Sequence, residues 1–279
     1  VSAPTEPPAG GLLYHEIERG PEGADWLVFL HGAGGSMFTF KRQFPHFAGR
    51  FHLLKIDLRD HGQSKGLPVP DDFGMYTVAR DVIALLDHLG IREAHFMGVS
   101  MGSIFVRLVD ELHPDVVRSV VVGGGVFRLS AKIQGFIRGG VLLARVLSFR
   151  TLYRLLATII MPARNHAKSR EIFIREAEKI SQAEFNRWLR LAPELRGQLR
   201  RHFDAPISGP TLVVMGAEDH VFLGPAREYA TRWDGVDLAV IPKCGHVCNI
   251  EQPEAFHRLV DAWFAERFGI PPAGEGSGA

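Results

Sequence analysis

Phe96-Met97-Gly98-Val99-Ser100-Met101-Gly102 is the stretch on which the fold turns, because it sets a G-x-S-x-G sequence between an apolar run and a helical one. Ala94 to Val99 reads as a short buried strand. Met101 to His113 carries apolar residues at helical spacing, Ile104, Phe105, Leu108, Val109 and Leu112, and Pro114 stops it. A strand entering and a helix leaving is the context in which such a serine sits on a sharp, strained turn. Gly98 and Gly102, two residues either side of Ser100, lack the Cβ atoms that would clash where strand and helix close together. Ser100 Oγ is then pushed outward at a helix N-terminus, where the Met101 N–H and the helix dipole can meet a developing negative charge. The competing reading is a glycine-rich turn with an incidental serine, and the residues around it decide between the two.

A serine hydroxyl is a poor nucleophile until a base takes its proton, and the base needs an acid to orient it. Pro210-Thr211-Leu212-Val213-Val214-Met215 is a β-branched apolar strand running into Gly216-Ala217-Glu218-Asp219-His220, which places Asp219 in the loop just beyond it. Asp219 is the expected acid. Glu218 is its rival, made second choice by its longer arm and its position one residue nearer the strand. After the next strand, Leu238 to Ile241, comes Pro242-Lys243-Cys244-Gly245-His246, in which Gly245 is expected to let His246 turn inward as the base. A further strand, Trp26 to Leu30, leads into His31-Gly32-Ala33-Gly34-Gly35-Ser36, a glycine-rich loop with unshielded backbone N–H groups. A phosphate-binding loop is the competing reading there, but neither a Gly-Lys-Ser/Thr ending nor G-x-G-x-x-G is present.

The H-G-A-G loop at His31 and the S-M-G elbow at Ser100 together resemble the α/β-hydrolase superfamily, in particular its capped serine esterases and monoacylglycerol lipases. The chain order Ser100, Asp219, His246 matches that superfamily's triad order. The resemblance implies that the N–H groups of Ala33 and Met101 hold a tetrahedral oxyanion. Ile56-Asp57-Leu58-Arg59-Asp60-His61-Gly62-Gln63-Ser64 resembles the family's D-x-R-G-x-G-x-S turn, and Asp57, Arg59 and Ser64 are expected to hold it by local hydrogen bonds. Asp60 stands where the family usually has glycine, and Asp tolerates left-handed backbone better than most residues. Gly245 to Pro253 resembles the family's G-H-x4-E-x-P stretch, with the last helix starting near the proline. The likeness runs from about Leu12 to Phe268. Pro-containing Thr5-Glu6-Pro7-Pro8 replaces the family's usual first strand, which is expected to be missing or irregular.

The chain, 279 residues and 46% hydrophobic, is long enough for one α/β domain with an insertion. Strands are expected at 13–18, 26–30, 51–56, 94–99, 117–122, 210–215 and 238–241, alternating with helices near 39–47, 77–89 and 101–113. That alternation means a mostly parallel sheet with helices on both faces. It breaks from Phe127 to Asp204, which holds no strand-like segment and is expected to form an all-helical cap. The organisation is thus a core of 1–126 and 205–279, with loose tails at 1–10 and 271–279, and a cap at 127–204 over the site.

The near-neutral total hides an asymmetry: 16 of the 32 Lys and Arg lie in the cap, against 6 of the 31 Asp and Glu. Apolar rows, Phe136, Ile137, Val141, Leu142, Leu143, Val146, Leu147, then Leu152, Leu155, Leu156, Ile159, Ile160 and Met161, are interleaved with Arg138, Arg145, Arg150 and Arg154. Membrane-surface contact through this basic cap is one reading; the favoured one is an apolar face lining a pocket beneath solvated arginines. Cys244 and Cys248 flank His246 but fall short of a four-ligand zinc site, so free, buried thiols are expected. No apolar run reaches about 18 residues and no signal-like segment opens the chain, so cytoplasm is the favoured location.

The expected activity is cleavage of carboxylic esters with short-to-medium acyl or monoacylglycerol-like groups through an acyl-enzyme. The expected partner is a small-molecule ester; no nucleic acid, metal or organic cofactor is called for. Epoxide hydrolases and haloalkane dehalogenases of the superfamily are disfavoured because they use Asp where this chain has Ser100. Carbon–carbon bond hydrolase, acyltransferase, perhydrolase and a non-catalytic ligand-binding member remain open.

Overall fold

The structure, a computed structural model, describes residues 11–130, 133–135, 139–140 and 147–274. Its strands are β1 (His15–Glu18), β2 (Trp26–Leu30), β3 (His52–Ile56), β4 (Ala94–Val99), β5 (Val117–Gly123), β6 (Thr211–Gly216) and β7 (Val236–Ile241). They form one sheet in the order β1-β3-β2-β4-β5-β6-β7, parallel except for β1, which runs antiparallel to β3. Its central strand, β4, pairs Gly98 with Leu30 on one side and Val99 with Gly123 on the other, so three strand ends meet where Ser100 follows.

Helices are α1 (Gln43–Phe47), α2 (Met75–His88), α3 (Met101–Leu112), α4 (Phe149–Ile160), α5 (Ala167–Ala177), α6 (Gln182–Leu189), α7 (Ala192–Phe203), α8 (Leu223–Arg232), α9 (Cys248–Glu251) and α10 (Pro253–Phe268). The strand period of two sends alternate side chains to opposite faces, and both faces are apolar. Val28, Leu30 and Phe96 enter one core with Val82 and Leu85 of α2 and Ile104 of α3. Leu27, Phe29 and Met97 enter the other with Phe256 and Phe264 of α10. Each residue of β4 is buried, as a strand covered on both faces requires.

Boundaries move for identifiable reasons. The single helix expected over 39–47 is a 3-10 turn at Met37–Phe40 followed by α1, because Pro45 is tolerated only in a first turn. β6 starts after Pro210, which has no N–H to give but accepts from Val120 N at 3.0 Å. The expected strand at 13–18 shortens to β1, and β7 lengthens to include Val236 and Asp237, the latter taking the indole N–H of Trp263 at 2.7 Å. Between β5 and β6 the described residues form helices and no strand. Phe136, Ile137, Arg138, Val141, Leu142, Leu143, Arg145 and Val146, expected to form apolar rows and interleaved charges, lie outside the described residues, as do the expected tail 1–10 with Thr5 to Pro8 and residues 275–279 of the other tail. Among the described residues no helix is long and apolar enough to cross a membrane.

Candidate active site

Ser100 leaves β4 at φ 52° and ψ −118°, a conformation that an L-residue holds only when its surroundings impose it. The surroundings are backbone. A Cβ on Gly102 would lie 1.9 Å from Leu30 O, and one on Gly98 would lie 2.9 Å from Gly102 C and O and from Ser103 N. No other residue type fits at either position. Ser100 N donates to Gly123 O at 3.0 Å, and Ser100 O receives both the N–H and the hydroxyl of Ser103, which fixes the first turn of α3.

His246 is 1% exposed and brings its Nε2 to 2.9 Å from Ser100 Oγ, while its Nδ1 lies 2.8 Å from Asp219 Oδ2. Asp219, fully buried, also accepts at Oδ1 from the N–H groups of Phe222 at 3.0 Å and Val221 at 3.2 Å. Burial alone would raise the Asp219 carboxyl, but the charge and hydrogen bond of His246 and these two N–H groups hold it below its ordinary value. It therefore stays an acceptor, and His246 Nδ1 must carry the proton. Nε2 is then free to take one from Ser100.

Glu218 points elsewhere: its Oε2 accepts from Asn165 Nδ2 and lies 2.8 Å from His166 Nε2, both just before α5. Those contacts join the body to the helical segment and leave Asp219 alone on His246. The turn before His246 differs in detail from expectation. Its positive φ, 53°, falls on Lys243 and not on Gly245. Gly245 is needed because a Cβ there would sit 2.9 Å from Glu251 Oε1 and from the ring of His166. Its N–H donates to Glu251 Oε2 at 2.8 Å, which ties the histidine loop to α9.

Ala33 and Met101 line the same cavity as Ser100. Gly32 allows the close approach, since its Cβ would be 3.2 Å from Ser100 Cβ. The Ala33–Gly34 peptide is held at both ends: Tyr153 OH of α4 donates to Ala33 O at 2.5 Å, and Gly34 N donates to His61 Nε2 at 3.1 Å. Burial keeps Tyr153 protonated by raising its pKa well above the ordinary value. Burial also lowers His61 to about 3 and His31 to about 4, so both rings are neutral. Their Nδ1 atoms then donate to Arg59 O and Gly32 O, and their Nε2 atoms accept from Gly34 N and Leu58 N.

The turn after β3 is wired more widely than local bonding would make it. Asp57 accepts from Gln63 N and, across the site, from Met37 N, both at 2.8 Å, while Ser64 Oγ donates to Asp57 O. Arg59 grips Asp81 on α2 through two bonds of 2.6 and 2.7 Å. Asp60 does take the left-handed conformation, φ 66°, and its buried carboxylate receives Arg187 Nε and Nη2, each at 2.7 Å, and Trp188 Nε1 at 3.1 Å from α6. Sequence reasoning missed these roles of Asp60, His61 and Tyr153. His61 stood in a recognisable turn, whereas nothing near Tyr153 in the chain marks its partner 120 residues away.

Above Ser100 lies a cavity of about 280 Å³, walled by Phe105, Tyr153, Leu156, Trp188 and neighbouring apolar side chains from β5 to α7. No charged side chain lines it among the described residues, and the polar atoms of His61, Tyr153 and Trp188 are already bonded. A recess of about 20 Å³ shares Ala33 and Ser100 with it and is bounded by Thr39, Glu176 and Val247. Leu152, Ile160 and Met161 of the expected apolar rows are buried, whereas Leu147 and Leu155 are exposed. Cys244 and Cys248 are free and buried, and burial pushes Cys248 up to about 12 and Cys244 higher. No cluster of potential metal ligands occurs among the described residues.

Residues 27–259 match the profile of the alpha/beta hydrolase family. The chain is 30% identical over 268 residues to the dihydrolipoyllysine-residue acetyltransferase component of the acetoin cleaving system of Pseudomonas putida, across 94% of this chain and 69% of that protein. It is 26% identical over 241 residues to 3-oxoadipate enol-lactonase 2 of Acinetobacter baylyi, across 85% of this chain and 87% of the relative. The enol-lactonase structure from Burkholderia xenovorans LB400 shares the fold with a TM-score of 0.77 at 21% identity, across 91% of this chain and 96% of that one.

Proposed function

The chain belongs to the alpha/beta hydrolase family, and on that premise we propose that it cleaves neutral carboxylic esters with an apolar acyl group through an acyl-enzyme on Ser100. The observation that carries this reading is the joining of the hydrogen-bonded line Asp219–His246–Ser100 to a cavity with no charged wall among the described residues. Ser100 Oγ attacks the ester carbon as its proton passes to His246 Nε2. Asp219 holds the imidazole in the required tautomer and balances its charge. The N–H groups of Ala33 and Met101 receive the oxyanion. Collapse returns the proton from His246 to the departing alcohol, and a water then repeats the sequence on the acyl-enzyme. The small recess beside Ser100 has room for about one such water.

In this reading residues 127–204 act as a cap, whose helices supply the greasy wall. The adipate of the enol-lactonase relative's name is a carboxylate, which in this chain would lie against apolar walls with no cation among the described residues to pair it. The walls therefore favour an uncharged acyl group over such a substrate. The test is a series of nitrophenyl esters. From acetate to medium-length chains, kcat/KM should rise about fourfold per methylene, since each buried CH2 contributes about 0.8 kcal/mol. A flat profile would remove the acyl-pocket reading, and turnover unaffected by Ser100→Ala would remove the mechanism.

A further inference from the structure

A second cavity, of about 340 Å³, lies further along α7 toward its C-terminal end and takes no part in the chemistry above. Four guanidinium groups from three separate segments line it: Arg128 beyond β5, Arg196 and Arg200 on α7, and Arg232 at the end of α8. Two have carboxylate partners, Arg128 in Glu228 and Arg232 in Asp204, the latter pair at 3.1 Å. Among the described residues no carboxylate pairs with Arg196 or Arg200. These two are four positions apart, so they project from one helix face, a spacing that works against the helix when the charges are alike. Among the described residues, with Glu228 and Asp204 counted, the four arginines leave a net charge of two positive units around the cavity.

The arginines that are paired are also placed. Phe203, 3% exposed, forms part of the wall, and the guanidinium carbons of Arg128 and Arg232 stand 4.6 and 5.6 Å from its ring centroid. Stacking on the ring and pairing with Glu228 and Asp204 restrain these two side chains, Arg128 through both Nη atoms and Arg232 through Nη1, so that Arg196 and Arg200 carry the unmatched charge. The planar guanidinium forks of Arg196 and Arg200, which line the same recess, match the oxygens of a phosphate group better than those of a neutral ligand. Leu129 lines this cavity and also the apolar cavity holding Ser100, the one side chain among the described residues common to the two.

We infer that this arginine cavity is a binding site for a phosphate-bearing anion, separate from the hydrolytic site and adjoining it through Leu129. A soluble phosphorylated molecule and an anionic phospholipid headgroup present the same chemistry. The inference does not rest on the hydrolase reading, because binding is measured with or without a working Ser100.

Calorimetric titration of the full chain with pyrophosphate at low salt, with vesicles containing phosphatidylglycerol as a second arm and phosphatidylcholine vesicles as control, tests it. Arg196→Ala/Arg200→Ala should weaken binding at least tenfold, and Ser100→Ala should leave it unchanged. Asp204→Asn removes the carboxylate that an incoming anion must face and should tighten binding several-fold, a gain that damage to the fold cannot produce. Pyrophosphate binding assigns the site to soluble phosphates; binding to phosphatidylglycerol vesicles alone assigns it to a headgroup. Binding to neither, or binding indifferent to the double variant and to Arg200→Gln, overturns the proposal.

Discussion

The elbow around Ser100 and the helical segment over it are held by opposite means. At the elbow the constraints are backbone to backbone: Gly98 and Gly102 have no room for a Cβ, and Ser100 sits at positive φ because the strand behind it and the helix ahead leave no alternative. The helical segment is fastened by a few side chains reaching across the site: Tyr153 to Ala33, Arg187 and Trp188 to Asp60, His166 to Glu218. The backbone constraint on Gly98 comes from residues close in sequence and that on Gly102 from Leu30 O of the neighbouring strand, and both tolerate almost no substitution. Side-chain fastenings join residues 50 to 130 positions apart and break one at a time. Reaction geometry and substrate fit can therefore change separately, except where Tyr153 ties one to the other.

Four predictions press on that contrast. The largest effect belongs to the elbow: Ser100→Ala and His246→Ala should each reduce ester turnover by a factor of about 10^4 or more, since triad members act as a unit, with far-UV circular dichroism unchanged. Fluorophosphonate labelling that persisted in Ser100→Ala would place the nucleophile elsewhere. Next comes the acid. Asp219→Asn should cost about 10^3 to 10^4 in kcat by releasing His246 to the wrong tautomer, and Glu218→Gln should change kcat by no more than about threefold. Exchanged results would make Glu218 the orienting acid and the fastening of His166 incidental.

Tyr153→Phe probes the one point where the two regions meet. Losing its hydrogen bond to Ala33 O should lower kcat about tenfold, from about 1.4 kcal/mol of lost orientation, with KM within about twofold because the ring still packs. A change in KM alone would confine Tyr153 to the pocket wall.

The last effect is on stability. Burial lowers His61 to about 3 and His31 to about 4, against about 6.5 in the unfolded chain. Between those values the unfolded state binds more protons, so stability is complete above about pH 6.5 and falls as pH drops toward 4, by up to about 1.4 kcal/mol per unit for each ring. Calorimetry should show Tm falling from pH 6.5 to 5, and falling less steeply in His61→Gln. An equal slope would mean that the ring holding Gly34 titrates freely.

The legible part of the site follows the same division. Ser100, Asp219 and His246 are readable from the sequence and are brought within hydrogen-bond distance, because each lies within five residues beyond the end of a parallel strand of one sheet and such ends converge by topology. The left-handed Asp60 was equally readable, since backbone preference is local. Its grip on Arg187 was not, nor was the wider reach of Arg59 to Asp81. Even within the local turns the detail escaped: the positive φ before His246 lies at Lys243, and Gly245 is there to clear Glu251 and His166, a contact between three separate elements.

By itself the sequence determined the alternation of strands and helices, the elbow and the order of the reactive residues, because glycine placement and apolar periodicity act over a few residues and carry their meaning with them. Tertiary structure alone decided what walls the cavity, which tyrosine and histidine hold the Ala33–Gly34 peptide, and where four arginines gather around Phe203. The reason is physical: packing and charge pairing depend on distances between side chains that the chain brings together only after the sheet has formed and the helices have settled over its end.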